Sequence, residues 1–338
     1  MLKRNLLLNI IVFLYCGCTP GVTPEQAFYY WKTTYDTGPA ENNALARPGV
    51  KSLYLRFFDV DHFPGTEGPV PRGRIQFNAA LPAGKEIIPV IFITNRTFLS
   101  ASDSIADYLP GRVWKLIKQT AAANKIKISE IQIDCDWTQA TKKRYFKFLS
   151  NLNLLSRINI SATIRLHQVK YRKETGVPPV SKGMLMYYNM GTIDASANNS
   201  IFDPAIAARY TGNLNEYPLP LDLALPIFGW GIQIRNGEVV QLLNKMERSD
   251  LAGDSGFATS ADNRQIARHP GFHHGYYFQQ GDAIKWETVT PEALLAVPEQ
   301  LAKHGAGKFG KIVFYDLDAI NLNRYEENFF ERVAAGFR

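Results

Sequence analysis

The chain has 338 residues, 46% of them hydrophobic and 12% aromatic, and a formal net charge of +7. That content excludes a disordered or low-complexity chain and supplies the core of one large barrel or of two ordinary domains. The basic residues are scattered, and their densest run, Lys142-Lys143-Arg144, falls on the solvent face of an expected helix, so the charge does not point to nucleic acid.

The N-terminus reads as a leader. Lys3 and Arg4 precede an apolar run from Leu6 to Tyr15, too short to span a bilayer, and Gly17-Cys18 follows. A small residue before cysteine resembles a bacterial lipoprotein cleavage site. Residues 1–17 are therefore expected to be removed and Cys18 to carry the lipid. Thr19 and Pro20 stand where surface-displayed lipoproteins often carry acids, which favours a periplasm-facing envelope protein. Past the leader, Cys135 is the one cysteine besides Cys18, so no disulfide framework forms within one chain. Its spacing suits an inert core position. Without a CxxC or a His/Cys cluster, neither a metal nor a cofactor is expected.

Short apolar, aromatic-rich runs recur at 27–35, 52–60, 86–94, 130–137, 158–166, 183–190, 221–230 and 311–317. Helical patterns lie between several of them. One runs from Ser104 to Lys125 and should break at Pro110-Gly111. A second runs from Thr138 to Leu155, capped by Thr138, with Tyr145, Phe148, Leu149 and Leu152 inward. A third covers 291–305, and a short one 204–210. Eight strands with intervening helices predict a (β/α)8 barrel, a TIM barrel, over residues 18–338. An open α/β sheet is the alternative, but no Gly-rich phosphate loop follows an early strand.

The fourth and fifth runs are unusual. Gln132, Asp134 and Asp136 share one face of the fourth, and Asn159, Ser161, Thr163, Arg165 and His167 share one face of the fifth. A parallel strand covered on both sides should be apolar throughout. Two adjacent polar faces predict a paired network inside the barrel, such as Arg165 with Asp134 or Asp136. The stretch from about 231 to 290 is too long for a simple connection. Asn236-Gly237 is a strong hairpin signal, and Gly281-Asp282 sits in a similar place, so a small β-rich insertion is expected after the seventh strand. Its His273-His274 pair reads as loop rather than metal site.

Asp134-Cys135-Asp136-Trp137-Thr138 on the fourth strand and Met186-Tyr187-Tyr188-Asn189 on the sixth resemble the motifs of the family-18 glycoside hydrolases, the chitinases and endo-β-N-acetylglucosaminidases. That family is a TIM barrel with a D-x-D-x-E run on its fourth strand and M-x-Y-D or M-x-Y-N on its sixth. The resemblance implies that Asp136 orients an acetamido group serving as nucleophile, that Asp134 supports Asp136, and that Tyr188 hydrogen-bonds the acetamido oxygen with Asn189 as its polar neighbour. The general acid is missing, because its position is Thr138. The chain more closely resembles a bacterial family of envelope proteins with a glycosidase-like barrel and no established activity, through the YYW, QIDxD and ISATI runs.

Trp31, Trp137, Trp230 and Tyr315 lie at or near strand ends, where sugar faces stack on aromatic rings, and Arg165 and Asp316 stand beside them as candidate substrate contacts. A replacement acid could come from Asp59, Asp61, Glu216, Asp316 or Asp318. Three functions stay open: a glycoside hydrolase acting on N-acetylhexosamine-containing glycans, a non-catalytic glycan-binding lipoprotein, or an envelope scaffold whose interior acids are structural.

Overall fold

The computed structural model describes residues 22–63, 65–100, 102–244, 246–305 and 309–338; the leader and Cys18 lie outside them. Eight parallel strands close into a ring: β1 (Glu25–Tyr30), β2 (Val50–Asp61), β3 (Glu86–Ile93), β4 (Glu130–Asp134), β5 (Asn159–Arg165), β6 (Lys182–Met186), β7 (Leu221–Pro226) and β8 (Lys311–Tyr315). Each pairs with the next, and β1 joins both β8 and β2, so the barrel is closed. Every one of the eight apolar runs supplies one of these strands. Helices cover the outside, and one continuous apolar core joins them to the barrel wall.

The helices depart from the sequence pattern in instructive ways. Ile105–Ala123 is a single helix with Pro110 inside it, not a broken pair. Ile105, Leu109, Val113, Ile117 and Ala121 form a buried stripe on both sides of the proline. Packing of that stripe outweighs the cost of roughly 3 kcal/mol for an interior proline. The next helix is Lys142–Ser156, with Tyr145, Phe148, Leu149 and Leu152 buried as expected. It starts later than Thr138 because the Thr138 N–H donates to Thr141 Oγ1 (2.9 Å), forming a turn before the helix. The pattern at 291–305 resolves into two short helices, Pro291–Leu295 and Val297–Ala302. Pro298 has no N–H to continue the ladder across Ala296.

Polar side chains fill the barrel in two tiers. At the N-terminal ends of the strands, Lys182 bridges Glu130 (3.0 Å) and Asp222 (2.6 Å), and Lys311 bridges Glu86 (2.9 Å) while donating to Ser52 Oγ (2.8 Å). Ser161 Oγ donates to Glu130 (2.7 Å), and Asp222 accepts from the Lys311 N–H (2.9 Å). This ring plugs the lower pole. Above it the Tyr29 hydroxyl donates to Gln132, whose amide reaches Ser161 Oγ at 3.4 Å. The polar faces of β4 and β5 thus pair with one another, and the upper pole stays open.

The insertion after β7 is a separate sheet. Its five antiparallel strands run in the order 238–244, 230–235, 283–287, 265–267, 257–259, and a two-stranded hairpin joins 271–273 to 276–278. A small core of its own includes Leu243, Phe257, Phe278 and Ile284. Asn236-Gly237 is the tight turn expected, with φ of 51° and 82°. Gly281-Asp282 is not a hairpin turn, because the strands flanking it belong to different sheets. The second hairpin turns instead on His274-Gly275, with φ of 51° and 84°. Among the described residues no helix is long and apolar enough to cross a membrane.

Candidate functional site

The open pole gathers most of the residues expected there. Trp31, Asp134, Asp136, Arg165, Tyr188, Asn189, Trp230, Tyr315 and Asp316 all line one cavity of about 580 Å³. The alternation along β4 explains its floor. Asp134 ends the strand pointing inward and is 5% exposed, while Asp136, two residues on, stands at the rim. Cys135 points the other way, into the packed wall, where burial raises its thiol pKa and keeps it inert.

Asp134 accepts from Thr163 Oγ1 at 2.7 Å. Burial pushes its pKa up to about 6; the Arg165 charge pulls it down, and Asp136 adds to the rise. Arg165, the last residue of β5, donates Nε (2.5 Å) and Nη2 (3.0 Å) to the two oxygens of Asp136. Burial works against the guanidinium charge, but Asp136 and Asp134 outweigh it and raise the Arg165 pKa. The bridge expected from the sequence therefore forms with Asp136, as a two-pronged clamp.

Tyr188 is buried, and burial raises its phenol pKa. Its ring stacks on Tyr315 at 5.4 Å and 27°, and its hydroxyl meets Met186 Sδ at 3.3 Å. Asn189 turns the chain off the end of β6 in the left-handed region (φ 53°), a conformation asparagine tolerates. Tyr315 also packs on Trp31 and Phe228. Arg56 lies 5.7 Å over the Trp31 ring and pairs with Asp59. Trp230 is fixed from behind: its indole N–H donates to Glu287 (3.0 Å), a buried carboxylate of the insertion that also accepts from Ser200.

Trp137 does not line this cavity: it is 1% exposed, stacks on Tyr145 at 5.4 Å, donates to the Thr175 carbonyl (3.0 Å) and reaches only an adjoining lobe. Cys135 faces the packed wall, and Trp137, two residues later in the irregular turn after β4, packs against the helix that follows. Among the acids weighed as replacements, Asp59, Asp316 and Asp318 line the mouth. Asp61 does not: Arg96 clamps it and holds its pKa down to about 2. Glu216 is on the surface with Arg172 (2.6 Å).

The sequence reading missed Lys32, Asn244, Asn321 and Arg324, which complete the rim. Lys32 pairs with Asp318 (2.8 Å), Arg324 with Glu247 (2.8 Å), and Asn321 donates to Asp316 (2.6 Å). Lys32 had a signal, since it follows Trp31 at a strand end. Asn244 comes from the insertion and Arg324 from beyond β8, and neither sits in a local pattern. A second lobe of about 490 Å³ shares Asp136, Arg165, Tyr188 and Asn189 with the first and extends to Thr138, His167 and Tyr210. Burial, then the neighbouring Arg165, lowers the His167 pKa. Among the described residues no group of three or more His, Cys, Asp or Glu side chains is disposed to hold a metal.

The fold is a closed (β/α)8 barrel whose mouth opens at the C-terminal ends of the strands. No family model matches the sequence, and no curated protein matches it. Solved structures do resemble it. The spore cortex-lytic enzyme SleL of Bacillus cereus superposes with a TM-score of 0.54 at 13% identity, covering 94% of this chain and 76% of that one. The GH18 chitinase of Cycas revoluta, in complex with (GlcNAc)4, gives 0.55 at 12% identity over 93% of this chain and 99% of its own. The GH18 chitinase ChiB of Flavobacterium johnsoniae gives 0.50 at 10% identity, over 93% and 94%. At these identities the likeness is one of fold.

Proposed function

We propose that the protein is an envelope lipoprotein, anchored through Cys18, that binds N-acetylhexosamine-containing glycans at the barrel mouth and cleaves them slowly or not at all. The observation that carries this reading is the pairing of Asp136 with Arg165, together with threonine at position 138. The carboxylate that would orient an acetamido group is present and clamped, and no carboxylic acid stands two residues beyond it. General acid catalysis contributes roughly 10²–10⁴-fold, so its loss costs turnover rather than affinity.

The walls support a sugar ligand. Trp31, Phe228, Trp230 and Tyr315 offer ring faces to the apolar side of a pyranose, while Asn189, Asn244 and Asn321 supply hydrogen-bonding groups. Arg56, Arg165 and Lys32 are each paired with an aspartate, which suits a neutral ligand better than a strongly charged one. The chitinase from Cycas revoluta holds an N-acetylglucosamine tetramer on the same fold.

Calorimetric titration of the mature protein with chitin oligosaccharides tests the reading. Binding without new reducing ends is expected. A carboxyl installed by Thr138→Glu is expected to raise hydrolysis by roughly 10²-fold or more. Rapid release of reducing ends by the unmodified protein would overturn the non-hydrolytic reading, and no binding across chitin and peptidoglycan fragments would overturn the glycan site itself.

A further inference from the structure

The hairpin 271–278 of the insertion presents one aromatic face to solvent. Phe272 is 76% and Tyr277 44% exposed, and as cross-strand partners they hold their ring centroids 5.1 Å apart. The other face is anchored. Phe278 is fully buried, His273 packs edge-on against Phe257 at 4.9 Å, and His273 Nδ1 pairs with Asp254 Oδ2 at 2.8 Å. Gln233 donates to the Tyr277 carbonyl at 3.0 Å. The exposed pair is therefore held in place from beneath.

Through its anchored face the hairpin also borders the mouth. The Tyr276 hydroxyl donates to the Asn244 carbonyl (3.0 Å), Asn244 is the register partner of Trp230, and both line the main cavity. In the chain flanking the two rings Arg268, His269, His274, Gln279 and Gln280 are polar and exposed, beside an exposed Pro270. Two rings in such a rim are far short of the ~800 Å² per partner of a stable protein interface. A narrow apolar platform edged by hydrogen-bonding groups matches a pyranose ring, with its apolar face and its equatorial hydroxyls.

We infer that Phe272 and Tyr277 form a second contact for the glycan, gripping units of the chain that extend beyond the mouth. The inference rests on the glycan reading above. It assigns the insertion a length-selecting role: short oligosaccharides use the mouth alone, and long ones use both contacts.

The test compares wild type, Trp230→Ala and Phe272→Ala/Tyr277→Ala against chitin oligosaccharides of two and six units by calorimetry, and against insoluble chitin and purified peptidoglycan by co-sedimentation. The double variant should melt with the wild type, since both rings are solvent-exposed. It should bind the two-unit sugar normally and the six-unit sugar roughly tenfold more weakly, with lower retention on polymer. Trp230→Ala should weaken both lengths. Equal affinity of the double variant and wild type for the long sugar and both polymers would overturn the second contact and leave the mouth reading standing. So would loss of the short sugar by the double variant. Failure of wild type to bind any of these glycans would overturn both readings.

Discussion

Asp134 is a carboxyl kept close to neutrality by its surroundings. Its pKa near 6 stands above the ordinary value of 3.8 because burial penalises the charge more than Arg165 relieves it. The folded state therefore holds this proton more tightly than the unfolded chain does. Between about pH 4 and pH 6 the group makes the protein less stable as pH rises, by roughly 3 kcal/mol across the window. Asp134→Asn keeps an oxygen to accept from Thr163 and removes the titration. The variant should gain stability over wild type at pH 7, and the gain should vanish by pH 4. Chemical denaturation across that range measures it, and a pH-independent difference would show that Asp134 is not the titrating group. A stability gain coupled to weaker sugar binding would mark a carboxyl retained for function. At this scale the sequence was informative where alternation sets direction: it placed Asp134, Asp136 and Arg165 on one inner surface. It misdirected Trp137, which was expected to stack on sugar, because the irregular turn after β4 does not follow strand alternation.

At the scale of elements, the polar inner faces do two jobs at opposite ends of the same strands. Glu130 and Lys182 belong to the lower plug, whereas Asp134 and Arg165 belong to the mouth, with Gln132, Ser161 and Thr163 between them. Lys182→Met removes the cation shared by Glu130 and Asp222, whose side chains are 8% and 6% exposed. Stranding buried carboxylates costs about 3–5 kcal/mol, so the denaturation midpoint should fall sharply. Glycan affinity measured well below that midpoint should stay within about twofold of wild type, since the mouth is built at the other pole. A parallel loss of affinity would mean that the two tiers act as one network. The strands were legible because each apolar run is short and bounded by polar or turn residues. The helix ends and the second hairpin were not. Pro110 is overridden by tertiary packing, and the strands on either side of His274-Gly275 are only three residues each, too short to show alternation.

At the scale of the whole molecule, the poles of the barrel give the protein a direction. The described chain enters at the lower pole, where the Glu25 N–H bonds the Gly310 carbonyl, while the aromatic mouth and the insertion stand at the C-terminal ends of the strands. A lipid on Cys18 would tether the lower pole and turn the mouth away from the bilayer, toward polymeric glycan. Cys18→Ser should therefore move the protein from the membrane fraction to the soluble fraction of cells. Because the tether and the site lie at opposite poles, the released protein should bind chitin oligosaccharides with the affinity of the membrane-held form. Retention of the serine variant in the membrane would remove the lipid anchor, whereas release accompanied by a changed affinity would show that the tether and the mouth are not independent.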